Sequence, residues 1–144
     1  MKTIMILLTL FSLGFSAQID DFASEVSYER NYDKALKMAK EQNKILMVVM
    51  VGDYCPWCKK MEKKTLKAQV VQEYVSKNFI TIVLDKYKDK GNYPKAYYAP
   101  VIPAIYFVEP QKETSLLEAV AYMKKAEFLE NADDALSLFS KGDK

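Results

Sequence analysis

The sequence is poor in the side chains that most often bind metal ions: its 144 residues include no histidine and only two cysteines. A structural zinc site takes four ligands, mostly cysteine or histidine, so one copy of the chain cannot build such a site from them. A zinc site shared between two subunits stays open as an alternative. We therefore expect no metal and no other cofactor.

An excess of charge of one sign is also missing. The chain has 21 basic and 19 acidic residues, a net charge of +2, and no long basic run. Nucleic-acid-binding domains typically concentrate positive charge in a patch or stripe, so this balance argues against a nucleic-acid partner. The sequence lacks internal repeats and Pro/Gly/Ser-rich linkers, and its length and its apolar content of 50% are typical of one globular domain.

Extended apolar runs are few, and the longest one, residues 4–15, lies at the start of the chain. It follows Met1 and Lys2, and the small residues Ser16 and Ala17 come after it. This run is shorter than the ~20 apolar residues of a membrane-spanning helix, and the order of features is that of a secretory signal peptide. We expect residues 1–17 to be a signal peptide and residues 18–144 to form the mature domain outside the cytoplasm, where disulfides persist. An uncleaved N-terminal anchor is the alternative.

Apolar patterns downstream of residue 30 predict alternating helices and strands. Three segments show helical spacing, and four contain apolar runs of strand length. The predicted order is helix 31–43, strand 45–51, a helix beginning at Pro56, a break at 65–69, a short helix at 70–75, strands 79–84, 102–108 and 116–122, and a helix at 128–139. This order predicts an α/β fold with a central mixed β-sheet flanked by helices on both faces. Residues 18–30 are expected to form a loose arm or a short helix.

Both cysteines lie in the segment "DYCPWCKK", between a predicted strand and a predicted helix. A disulfide that closes so short a loop removes little entropy from the unfolded chain, so a structural staple is a weak alternative. Thiol–disulfide exchange needs an accessible thiol with a lowered pKa and a second thiol within reach. A helix N-terminus stabilises a thiolate at Cys55, Pro56 suits the first helical turn, and Cys58 follows one turn later. The segment therefore predicts Cys55 as nucleophile and Cys58 as resolving thiol.

With its surroundings, this motif resembles that of the thioredoxin-fold proteins. The strand "ILMVVMV" runs into "DYCPWCKKME", and the proline of "VIPAIYFV" lies 45 residues after Cys58. The resemblance covers residues 30–140. It implies a cis-proline at Pro103 facing the motif, and binding of the substrate chain by the backbone of Ile102. The chain is most similar to a secreted or periplasmic subgroup that includes the C-terminal domain of the bacterial transmembrane thiol reductant transporter.

The resemblance implies a periplasmic thiol–disulfide oxidoreductase whose substrates are protein disulfides or thiols. A membrane thiol reductant carrier would restore its dithiol. Tyr54 matches an aromatic position of the family motif, and Trp57 either contacts the partner protein or shields the disulfide. The short spacing between Cys58 and Pro103 leaves no room for the helical insert of dedicated periplasmic oxidants, which favours a reductase.

The sequence also departs from thioredoxin in ways that leave two points open. Thioredoxin has a buried aspartate in the strand before the motif, where this chain has Val49. The group that takes the proton of Cys58 is therefore open, with Asp53, Lys59 and water as alternatives. The dipeptide between the cysteines differs as well, so the direction of electron flow is open. A disulfide oxidant or isomerase-like catalyst is one alternative function, and a client-specific assembly or peptide-binding factor is another.

Overall fold

The computed structural model describes residues 18–142, so the expected signal peptide at 1–17 lies outside the described residues. The helices and strands, in chain order, are α1 (Gln18–Val26), α2 (Tyr32–Gln42), β1 (Ile45–Val51), α3 (Pro56–Met61) with a π-helical turn directly after it (Glu62–Leu66), α4 (Gln69–Asn78), β2 (Phe79–Asp85), a short 3-10 helix (Lys95–Tyr97), β3 (Ala104–Glu109), β4 (Thr114–Val120) and α5 (Lys125–Gly142). In this part of the chain, no helix combines the length and the apolar character needed to cross a membrane.

Four strands form one mixed sheet in the order β2-β1-β3-β4. β1 runs parallel to β2 and antiparallel to β3, and β4 is antiparallel to β3. Val49 of β1 lies opposite Val83 of β2 and Ile105 of β3, and every residue of β1 is buried. Burial on both faces explains why this strand is a continuous apolar run rather than an alternating one.

The helices pack on both faces of the sheet, as predicted. Alternate residues of β1 face opposite sides, so Met47 and Val49 belong to one apolar core and Leu46 and Val48 to another. The first core includes apolar side chains of α1, α3, α4 and α5, and the second includes those of α2 and of the loop before β3. The predicted α/β architecture is thereby confirmed.

The structure corrects several boundaries. Residues 18–26 form a helix, which decides between the two expectations for this segment. The predicted break at 65–69 is too long, because the π-helical turn continues to Leu66 and the backbone becomes extended only at Ala68. The third strand begins at Ala104 rather than at Ile102, since Pro103 has no N–H to donate to the sheet. The fourth strand ends at Val120, before Ala121 with its φ of 75°.

Candidate redox-active site

The cysteine pair lies where β1 leaves the sheet and α3 begins. Cys55 is the N-cap residue of α3, and its Sγ accepts a hydrogen bond from the backbone N–H of Cys58 at 3.1 Å. The two cysteines form a disulfide, with their Cα atoms 5.2 Å apart. Cys55 is partly exposed, whereas Cys58 is fully buried. Of the two sulfurs, only that of Cys55 is therefore accessible to another molecule. It can attack that molecule or be attacked by it.

The turn before β3 brings a second predicted segment to the same sulfur. The Ile102–Pro103 peptide bond is cis, and the carbonyl oxygen of Ile102 lies 3.9 Å from the Sγ of Cys55. Pro103 is buried, while Ile102 is partly exposed. The structure thus places these residues, which are far apart in the sequence, directly beside the cysteine motif.

Two hollows with largely apolar surfaces meet at Ile102, and Cys55 lines the first of them. The first, on the side of β2, is lined in part by Gly52, Tyr54, Cys55, Pro56, Tyr87 and Ile102. The second, on the side of β4, is lined by Trp57, Val101, Ile102, Pro103, Ala121 and Tyr122. The side chains of Tyr54 and Trp57 are 101% and 56% exposed, so the rims of both hollows present aromatic rings to solvent. Such a surface suits the apolar side chains of an extended polypeptide.

Trp57 belongs to a small cluster that also contains Tyr122 and Lys60. The two ring centroids are 5.8 Å apart, and the Lys60 ammonium lies 4.7 Å from the Trp57 ring and 4.6 Å from the Tyr122 ring. These contacts hold the indole against the rim of the second hollow while leaving much of its surface exposed. Trp57 therefore lies at the rim of the second hollow with more than half of its side chain exposed to solvent.

Asp53, one of the proton acceptors considered from the sequence, is paired with Lys88. The hydrogen bond to Asp53 raises the pKa of Lys88. Asp53 lines both the first hollow and a shallower one that also contains Cys55, so it lies on the side of the accessible sulfur. Its place in the site is therefore at the surface that a substrate would contact.

Sequence reasoning missed a buried acid in the site, Glu62. This residue is 5% exposed, and its Oε2 lies 3.5 Å from the Nζ of Lys59. Burial raises the pKa of Glu62, and the nearby lysines only partly oppose this effect. A usable signal was the spacing, because a glutamate four residues after Cys58 lies on the same face of a helix. The lysines around it in the sequence conceal this signal, because such a run is typical of a solvated helical face.

The described residues 18–142 contain no group of three or more His, Cys, Asp or Glu side chains that could hold a metal ion. A partly exposed sulfur, a buried second sulfur bonded to it and a neighbouring backbone carbonyl form an arrangement capable of thiol–disulfide exchange.

Together, the mixed sheet, the disulfide at the start of α3 and the facing cis-proline define a thioredoxin-like domain. The model of the thioredoxin-like family matches residues 27–110, more than half of the chain, and the chain belongs to this family. The expectation of a thioredoxin fold is confirmed.

Comparison with individual proteins agrees with this assignment. The chain is 28% identical over 90 residues to anterior gradient protein 3 of Mus musculus, covering 62% of this chain and 53% of that protein. It thus spans about half the length of the curated relatives it matches. A solved structure of a DsbH oxidoreductase is 20% identical, with a TM-score of 0.64 over 77% of this chain and 84% of that one. The oxidised C-terminal domain of DsbD from Neisseria meningitidis is 21% identical, with a TM-score of 0.56 over 72% and 90%. At these identities the structural likeness establishes the fold.

Proposed function

We propose that the chain is an exported thiol–disulfide oxidoreductase that reduces the disulfides of other proteins. The observation that carries the proposal is the asymmetry of the cysteine pair. Cys55 offers a partly exposed sulfur beside the Ile102 carbonyl, and Cys58 is buried and already within bonding distance of it. A substrate sulfur therefore meets Cys55 first, and Cys58 is held in place for the second step.

The reaction consists of two exchanges. The thiolate of Cys55 attacks one sulfur of a substrate disulfide, forms a mixed disulfide and releases the other substrate sulfur as a thiolate. The thiolate of Cys58 then attacks the Sγ of Cys55, and the bond to the substrate breaks with its electron pair leaving on the substrate sulfur. The product is the Cys55–Cys58 disulfide of the present structure. The two hollows that meet at Ile102 would hold the polypeptide that carries the substrate sulfur.

Location and direction are further parts of the proposal. The apolar run at residues 4–15 supports export to the periplasm. The described segment between Cys58 and Pro103 contains the π-helical turn, α4, β2 and a loop, without an inserted helical domain. This short connection supports a reductase, and the resemblance to the C-terminal domain of a transmembrane reductant transporter supports a membrane thiol carrier as its electron donor.

The reduction potential of the Cys55–Cys58 pair tests the direction. We would equilibrate the purified protein with thiol buffers and separate the oxidised and reduced forms. A value near thioredoxin's, about −270 mV, supports a reductase, whereas a value of about −120 to −180 mV indicates an oxidant or an isomerase-like catalyst. Cys55→Ser should abolish reduction of a protein disulfide, and full activity in this variant would contradict the mechanism.

Export is tested separately. We would express the full chain in a Gram-negative bacterium, fractionate the cells and measure the mass of the protein in the periplasmic fraction. A mature chain that begins at Gln18 or Ala17 supports the proposal. Retention of residues 1–17 on a membrane-bound protein supports the N-terminal anchor instead.

A second candidate function is that of an assembly factor that acts on one client. The exposed aromatic rims of the hollows, at Tyr54 and Trp57, favour it because such surfaces can select a particular sequence. The variant Cys58→Ser should trap substrates as mixed disulfides on Cys55. Capture of one protein from a periplasmic extract supports the assembly factor, whereas capture of many supports a general reductase.

A further inference from the structure

Glu62 is a buried carboxylate that the two exchange steps do not use. Its backbone N–H donates a hydrogen bond to the carbonyl oxygen of Cys58, so the two residues lie one helical turn apart on the same face. At this spacing the Cβ atoms are about 5–6 Å apart. Helical side chains lean toward the N-terminus of their helix, so the carboxylate of Glu62 leans toward the turn that holds Cys58. Both side chains are buried, which places the acid and the second sulfur on the same interior side of the helix.

The carboxylate of Glu62 is not satisfied by its surroundings. Its Oε1 is buried and receives no hydrogen bond from any residue in the described range 18–142. Its Oε2 has a single contact, with the Nζ of Lys59 at 3.5 Å. Buried polar atoms are nearly always paired, and leaving one unpaired costs free energy. A π-helical turn begins at the same residue, and such turns occur frequently at functional sites. Both features indicate a role beyond packing.

The charges around Glu62 suit a group that exchanges a proton. Burial raises its pKa, and Lys59, Lys67 and Lys63 act in the opposite direction without cancelling the effect. Lys67 is itself paired with Glu25 of α1. A carboxylate with a raised pKa takes a proton from a thiol at a smaller free-energy cost than an ordinary one does, because the two pKa values are closer.

We propose that Glu62 is the proton acceptor for Cys58. Thioredoxin has a buried aspartate in the strand before the motif, and this chain has Val49 at that position. The inference rests on the proposed exchange function. In the mixed disulfide, the Cys58 thiol gives its proton to the Glu62 carboxylate, and the resulting thiolate attacks the Sγ of Cys55. The bond from Cys55 to the substrate sulfur breaks, its electron pair leaves on that sulfur, and Glu62 holds one proton that it later returns to solvent. When the disulfide is reduced again, Glu62 takes up a proton from solvent and passes it to Cys58.

The two other acceptors considered from the sequence are less well placed. Asp53 also has a buried oxygen, Oδ1, without a partner among the described residues, but its other oxygen is paired with Lys88 and the residue lines the hollow beside the accessible sulfur of Cys55. Lys59 is the single ionic contact of Glu62, so its charge tunes the glutamate. Asp53 therefore serves as the competing candidate in the experiment.

Release of a coloured thiolate tests the inference. Reduced protein is mixed in a stopped-flow instrument with less than one equivalent of bis(nitrobenzoate) disulfide, whose thiolate absorbs visible light. The first phase of release reports attack by Cys55, and the second reports attack by Cys58 on the mixed disulfide. We expect Glu62→Gln to leave the first phase within about twofold and to slow the second by about 10- to 100-fold near pH 7. The difference should narrow as the pH rises, because hydroxide then competes with Glu62 for the proton of Cys58.

Matched variants separate proton transfer from structural damage. Glu109→Gln makes the same chemical change at a buried carboxylate outside the site and should leave both phases within about twofold. Glu62→Asp keeps a carboxylate and should restore part of the second phase, and it supplies the measurement if Glu62→Gln does not fold. Equal second phases in wild type, Glu62→Gln and Glu62→Asp would overturn the inference. So would a slow second phase in Asp53→Asn with a normal one in Glu62→Gln. Release of one thiolate rather than two per molecule of reagent by the wild-type protein would instead overturn the proposed exchange function, and this inference with it.

Discussion

The stability of the protein should depend on pH through Glu62. Burial raises the pKa of this carboxyl in the folded state above its unfolded value of about 4.3, so the folded protein holds the proton to higher pH than the unfolded chain does. The resulting stabilisation is fully present below about pH 4 and is lost as the pH rises through the folded pKa. Glutamine does not titrate, so Glu62→Gln should gain stability relative to wild type as the pH rises.

The expected size follows from the unpaired oxygen. Leaving a buried polar atom without a hydrogen bond costs about 1–3 kcal/mol, and the Oε1 of Glu62 is such an atom within the described residues. An unpaired oxygen costs more when the carboxyl is charged than when it is neutral, so the free-energy difference between Glu62→Gln and wild type should move in favour of the variant between pH 4 and pH 7, within that range. Urea unfolding of the oxidised proteins at both pH values measures it. Other titrating groups and the altered packing are common to both pH values and largely cancel in this comparison.

The same substitution at Glu109 provides the control. Glu109 is 8% exposed, but its two carboxylate oxygens accept the backbone N–H groups of Gln111 at 3.1 Å and Lys112 at 2.6 Å. Glu109→Gln should therefore lose about 1 kcal/mol or more at pH 7, whereas Glu62→Gln should gain on wild type between pH 4 and pH 7. A pH-independent difference between Glu62→Gln and wild type would refute the reasoning, because it would mean that folding does not change the proton affinity of this carboxyl.

Three further predictions concern other contacts. Arg30→Met should destabilise the fold by about 2–3 kcal/mol in urea unfolding, because Arg30 makes ion pairs of 2.7 Å with two aspartates and donates to the carbonyl oxygen of Val83 at 2.6 Å. Thr65→Val should cost about 1–3 kcal/mol in the same assay, since it leaves the buried carbonyl of Met123 without its 2.7 Å hydrogen bond. Trp57→Ala should raise KM for a protein disulfide severalfold and leave the rate with a small aromatic disulfide nearly unchanged; equal effects on both would assign Trp57 to shielding of the disulfide.

The elements that the sequence predicts best are those whose signals are local. Asn31 caps α2 by accepting the N–H of Lys34, and Asn43 ends the helix in a left-handed conformation with φ of 49°. Both boundaries are readable because asparagine suits these two backbone positions. The strand at 45–51 is equally readable, since burial on both faces produces an uninterrupted apolar run.

The features that the sequence does not reveal depend on contacts between distant segments. Thr65 looks like the start of a break, yet it lies in a helical turn because its hydroxyl donates to the carbonyl oxygen of Met123, 58 residues away. The cluster of Trp57, Lys60 and Tyr122 likewise joins α3 to the segment after β4. No local pattern encodes such pairings, so composition around Lys60 predicts only a solvated helical face.

The position of the buried acid Glu62 also depends on the residues around it. An acid at position 49 would lie in the central strand, where the residues opposite it in the neighbouring strands are Val83 and Ile105 and offer no charge or hydrogen bond. An acid at position 62 is also buried, but Lys59 pairs with it from one turn earlier, and the charges of Lys67 and Lys63 further lower the cost of its charge. The run of lysines that conceals Glu62 in the sequence is therefore the feature that makes a buried carboxylate tolerable one turn below Cys58.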